Sequence, residues 1–280
     1  MTAAGRQLRD GRLLAGGAIL GIIALGAAVG PMIAGPAPLE LGDIVARRFV
    51  EPLARTSDGA LHLAGTDRFG RDLLVMLLRG ARISLLVGVL AALVSTALGT
   101  ALGALAGYAQ GWPDRITIAI TDAALAIPRV PLLLLLAALF QPGLAVTVLA
   151  IGFTGWMTVA RLVRTEVRAA RQRDYVEAAR GLGVPARRLV WRHILPHAVA
   201  PALIATALGV GNAIMLEAGL SFLGLGVQPP TVSWGNLIAA GRDALVVAPW
   251  VALIPALMVA LVVLACSLIA DALEARLAND

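Results

Sequence analysis

The chain has 280 residues, of which 59% are hydrophobic and 14% charged, with a formal net charge of +6. That balance lies outside the range of soluble globular domains and points to lipid as the surrounding solvent. All 23 basic residues are arginines, which excludes a Walker A lysine, a Schiff-base lysine and a Ser/Lys catalytic pair, so any ATP hydrolysis tied to this chain falls to another polypeptide.

A membrane-spanning helix needs about 20 mostly apolar residues. Six segments qualify, at 13–34, 83–109, 116–140, 144–160, 199–223 and 248–270, and predict an all-α integral membrane protein. Arg6, Arg9 and Arg12 precede the first run and small residues follow near Ala34, as in a secretory signal. The run exceeds the 7 to 15 residues of a signal core, so it is read as a retained span behind a tail of residues 1–12.

Residues 35–82 mix seven arginines with six acids, whereas the 161–197 segment is richly basic. By the positive-inside rule the former is periplasmic, and the latter lies in the cytoplasm with both termini, including the 272–280 tail. Residues 83–271 then form the transmembrane core. The basic residues alternate with apolar runs and aromatics make up 4%, so no stacking surface for nucleic acid accompanies the charge.

In the second span Ser95, Gly99, Gly103 and Gly107 recur every fourth residue on one face. Such a stripe lets helix backbones approach closely in lipid. Packing within the chain is the first reading and a face toward a partner subunit the second. In the third span Asp122 and Arg129 stand seven apart on one helical face, which suggests a mutual or an interhelical ion pair. Arg129 lies between Pro128 and Pro131 and predicts an interrupted helix near the bilayer midplane, where a cation holds freed carbonyls, pairs with Asp122 or meets a substrate carboxylate. Asp122, Arg129, Asn212 and Glu217 are the candidate pathway or gating residues. Trp156, Trp191, Trp234 and Trp250 near span ends read as interfacial anchors, and Cys266 in the last span as a small hydrophobe.

The stretch 174–196 encodes helix, turn, helix. Asp174 followed by Glu177 predicts a capping box, Ala178 and Ala179 favour helix, and Gly183 suits a left-handed closure. Pro185 then opens a second helix that Pro196 stops. A short helix with a small face fits a groove on another protein, while its arginines fit anionic headgroups equally well.

Glu177-Ala178-Ala179, Gly183 and the Leu195-Pro196 ending resemble the EAA loop of ABC importer permeases. The resemblance extends to residues 65–72, 80–85 and 221–236, which look like the dipeptide, oligopeptide and nickel branch, and the length looks like its C-type subunit. Gly181, Arg129 and His197 depart from that branch's pattern. The resemblance implies the type I importer permease fold in a bacterial inner membrane, a B-type permease partner, two ATPase subunits holding ATP and Mg, and an external solute-binding protein. It also implies that Asp174, Glu177, Ala178, Ala179, Arg180, Gly183 and Pro196 couple to the ATPase. No cofactor is expected on this chain.

Three rival readings are weaker. His193 and His197 have the four-residue spacing of a shared metal, but Pro196 intervenes and no third ligand is near. A proton-coupled transporter needs inverted repeats, which are not detectable here. Ser84, His62 and Asp67 could be drawn as a triad, yet no nucleophile elbow surrounds any serine.

Overall fold

A computed structural model describes residues 3–33, 47–56 and 59–277. Helix α1 (Ala3–Ile33) precedes a segment, expected to be periplasmic, whose described part holds a small antiparallel hairpin, β1 (Ala54–Arg55) with β2 (Leu61–His62). Helix α2 (Leu73–Ala109) starts ten residues earlier than the sequence suggests, because the Asp72 carboxylate caps it by accepting from the N–H groups of Leu74 and Val75. Residues 73–82, expected in the periplasmic segment, are therefore helical. Glu40, Asp43 and Asp58 lie outside the described residues.

The third predicted span is broken. Ile127 is forced into extended backbone by the proline that follows it, and the chain bends by 85° between α3 (Gly111–Ala126) and α4 (Arg129–Leu139). Helices α5 (Leu144–Phe153) and α6 (Trp156–Arg171) follow in line and make one span between them. Next come the short α7 (Asp174–Gly181) and α8 (Ala186–Leu189), a π turn at Val190–Ile194 and α9 (Leu195–Phe222). Helix α10 (Trp234–Gly241), a 3-10 turn (Arg242–Ala244) and α11 (Trp250–Leu277) complete the described chain. Among the described residues five helices are long and apolar enough to cross a membrane, or six if the bent pair counts as one span.

Helix α2 is the axis of the bundle, touching α1, α5, α6 and α9, while α11 packs on α1, α9 and α10. The glycine stripe lies within the chain, against α6. A Cβ added at Gly99, Gly103 or Gly107 would fall 2.5 Å from Val159 Cβ, 2.5 Å from the Ala160 carbonyl oxygen or 2.7 Å from that of Arg164. Backbone meets backbone here, the close approach that holds helices together when lipid supplies no hydrophobic drive. Large aliphatic side chains such as Leu14, Ile22, Leu203 and Leu257 face outward, as a lipid-solvated surface requires.

Trp234 is not an interfacial anchor. Its ring is buried, with Nε1 donating to the Leu77 carbonyl at 3.0 Å, while its backbone N–H donates to Ser84 Oγ at 3.1 Å. The imagined triad is dispersed: His62 Nδ1 lies 2.7 Å from Asp72, Asp67 pairs with Arg71 at 2.6 Å, and Ser84 donates to Glu217.

Candidate coupling loop and central cavity

The candidate coupling segment follows α6 after a break at Gln172 and Arg173, the latter in extended backbone at φ −73° and ψ 141°. Helix α7 is fastened by Val176, fully buried in a cluster with Val163, Val167, Leu189 and Ile194. The expected capping box is absent: Asp174 is already the first helical residue, Arg173 takes the N-cap position, and no side chain caps the helix. The Arg173 carbonyl instead accepts from the N–H groups of Val176 and Glu177 at 2.9 and 3.1 Å.

The far end of α7 follows the sequence closely. Gly183 sits at φ +77°, the Gly183 N–H donates to the Arg180 carbonyl at 3.0 Å, and the Val184 N–H donates to that of Ala179 at 3.2 Å. This pair of bonds is a Schellman closure, which needs the left-handed residue. Asp174, Glu177, Ala178 and Arg180 are exposed, and Leu182 at the tip is 85% exposed. Ala179 differs from Ala178, because it is half-buried against the chain's own cluster. Pro196 does not stop a helix; it occupies the first turn of α9, where its missing N–H has no intrahelical partner to lose. His193 lies in the π turn and His197 in α9, and no metal-binding group of three His, Cys, Asp or Glu side chains exists among the described residues.

A second feature lies halfway along the bundle. A cavity of 290 Å³ is lined by Ser95 and Thr96 of α2, Arg129 at the start of α4, Gly155 and Thr158 near the start of α6, and Asn212 of α9. Two of the candidate pathway residues, Arg129 and Asn212, meet there. The other two do not. Asp122 forms an ion pair with Arg161 on the exposed face of α3 and α6, so for Asp122 the interhelical alternative holds and the mutual Asp122–Arg129 pair does not form. The bend at Pro128 is the reason, since positions seven apart share a face only while the helix is continuous. Glu217 is fully buried outside the cavity lining; Ser221 Oγ donates to it at 2.7 Å and Ser84 Oγ at 3.3 Å, tying α2 to α9.

Arg129 turns across to the next span. Nη2 donates to the Ile151 carbonyl at 3.0 Å and Nε to Thr154 Oγ1 at 3.3 Å. Sequence reasoning passed over Ser95, Thr96 and Thr158 as cavity-lining hydroxyls. Isolated hydroxyls on long apolar helices were the available signal, although such groups also satisfy themselves internally, as Ser95 Oγ does by donating to the Gly152 carbonyl at 2.8 Å. It also missed Asp114, which accepts from Arg164 Nη2 at 2.9 Å and lies 4.0 Å from Arg168.

Residues 99–279 match the family model described as the binding-protein-dependent transport system inner membrane component. A peptide ABC transporter permease of Sinorhizobium fredii is 42% identical over 244 residues, covering 87% of this chain and 82% of the relative. A glutathione transport system permease of Pectobacterium atrosepticum is 40% identical over 213 residues, covering 76% and 71%. Among solved structures, a chain of the MetNI methionine ABC transporter in an inward-facing conformation superposes with a TM-score of 0.56 at 18% identity, covering 71% of this chain and 96% of that one, which bears on the fold alone. With most of its length matched at this level, the chain belongs to the binding-protein-dependent inner membrane components, the non-catalytic permease subunits of ABC importers, and has their type I fold.

Proposed function

We propose that this chain forms half of a membrane path for short peptides or related small solutes and opens that path in response to an ATPase docked on α7. The observation that carries the reading is the presentation of α7. Val176 roots the helix in the bundle, while Glu177, Ala178, Arg180 and Leu182 project from it with no intrachain cover. A large apolar tip beside a small alanine and flanking charges suits a protein groove better than water. The peptide class is supported by the relatives named above.

In this reading a B-type permease supplies the other half of the path. Two ATPase subunits, which hold ATP and Mg, each grip one permease, and an external solute-binding protein delivers the cargo. The inner membrane holds the assembly, and both termini of this chain lie with the coupling loop in the cytoplasm, a placement that the arginine distribution supports.

A cysteine placed at Ala178 tests the docking. In the assembled transporter we expect crosslinks from that position to the ATPase, and Gly183→Val to abolish ATPase association while leaving membrane insertion intact, since a β-branched residue is strongly disfavoured at φ +77°. Labelling of the Ala178 cysteine by lipid-phase reagents alone would rule the docking out. Ala179→Trp is the poorer probe, because Ala179 also packs inside the chain.

A further inference from the structure

We propose that the Arg129 guanidinium is the point at which the path receives the terminal carboxylate of a peptide substrate. The inference rests on the peptide reading above and adds the group that the permease itself recognises.

An arginine at this depth is costly unless something compensates its charge. Its partners are the neutral Ile151 carbonyl and Thr154 hydroxyl. Neither removes a full positive charge. Among the described residues no carboxylate pairs with Arg129, and no Asp or Glu lines the cavity that it enters. Of the acids on neighbouring helices, Asp122 is engaged with Arg161, Asp114 with Arg164, and Glu217 with Ser84 and Ser221, while Glu166 of α6 is not among the residues that line the cavity. The cavity therefore keeps a fixed cation for which no described residue supplies a counter-charge.

The geometry fits a carboxylate in particular. Thr154 and Ile151 hold Nε and one bond of Nη2, which fixes the plane of the guanidinium and leaves its Nη1–Nη2 edge for a ligand. That edge presents parallel donors matched to two carboxylate oxygens. Gly155 makes room, since a Cβ there would stand 3.0 Å from Nη2. Thr158 and the Asn212 amide line the same space and can meet the polar backbone of a peptide. The cavity lies midway along both α2 and α9, the level at which a path is most separated from bulk water on either side.

The test uses the complete transporter in proteoliposomes: this chain, its partner permease, the ATPases and the binding protein. The cargo is a dipeptide or its C-terminal amide, with the binding protein saturated by each in turn. We expect the wild-type complex to move the free acid at least tenfold faster than the amide. Arg129→Leu should slow the acid at least tenfold and leave the amide within twofold of wild type. Arg129→Gln retains a donor for the Ile151 carbonyl, so it preserves assembly should the leucine variant fail, and it should show the same selective loss. Proportional loss for both cargoes would assign Arg129 to bracing α4 against α5 and overturn the inference, as would a wild-type complex indifferent to the amide. A wild-type complex that moves neither dipeptide overturns the peptide reading itself, and the inference with it.

Discussion

At the scale of single residues, what a position tolerates depends on whether it faces backbone or open space. Gly103 and Gly181 are both helical glycines, yet a Cβ at Gly103 would collide with the Ala160 carbonyl, whereas one at Gly181 would meet nothing within 4 Å. Gly103→Leu should therefore destabilise the fold by at least about 1–3 kcal/mol, since overpacking a backbone contact leaves no side chain to move aside. Gly181→Ala should be neutral or slightly stabilising, through its helix propensity. Thermal melting of the detergent-purified chain checks both, and an equal fall in Tm for the two variants would refute the distinction. The four-residue spacing made the first of these positions legible in the sequence. Arg129 was legible only as an anomaly, because its partners sit on α5 and the turn that follows, and no local spacing encodes a contact across a bend.

Elements show a similar division. The Schellman closure of α7 could be read directly, because it depends on one glycine and on bonds between near neighbours. Its N-terminus could not, since Arg173 displaced Asp174 from the cap position and the alternatives differ by a single residue. The burial of Glu217 was equally hidden, for it requires Ser84 and Ser221 from two helices that meet only in the fold. Two of the ion pairs that join α3 to α6 have surroundings that predict unequal worth. Asp114 and Arg164 are 13% and 21% exposed, whereas Asp122 and Arg161 are 52% and 54% exposed. A double-mutant cycle on melting should give Asp114–Arg164 a coupling above the ~0–1 kcal/mol of surface pairs, and Asp122–Arg161 a coupling within that range. The reverse order would mean that burial does not govern these pairs.

For the whole molecule, the absence of any lysine from the sequence carries a functional prediction: the purified chain, free of partners, should hydrolyse no ATP, and steady phosphate release from it would refute the assignment of catalysis to another subunit. The glycine seam between α2 and α6 has a mechanical consequence of its own. Helix α6 has 16 residues and so forms an arm about 24 Å long, with Thr158 at the cavity wall near one end and Arg171 beside α7 at the other. If the arm pivots by about 10° at its cavity end, its far tip swings by about 4 Å. Because Gly99, Gly103 and Gly107 leave only the short side chains of Val159, Val163 and Val167 at the seam between the two backbones, α2 has little room to absorb that swing. In the proposed coupling the pair rocks as one plate, so that a pull on α7 would reach the path as a change in the angle of an entire wall.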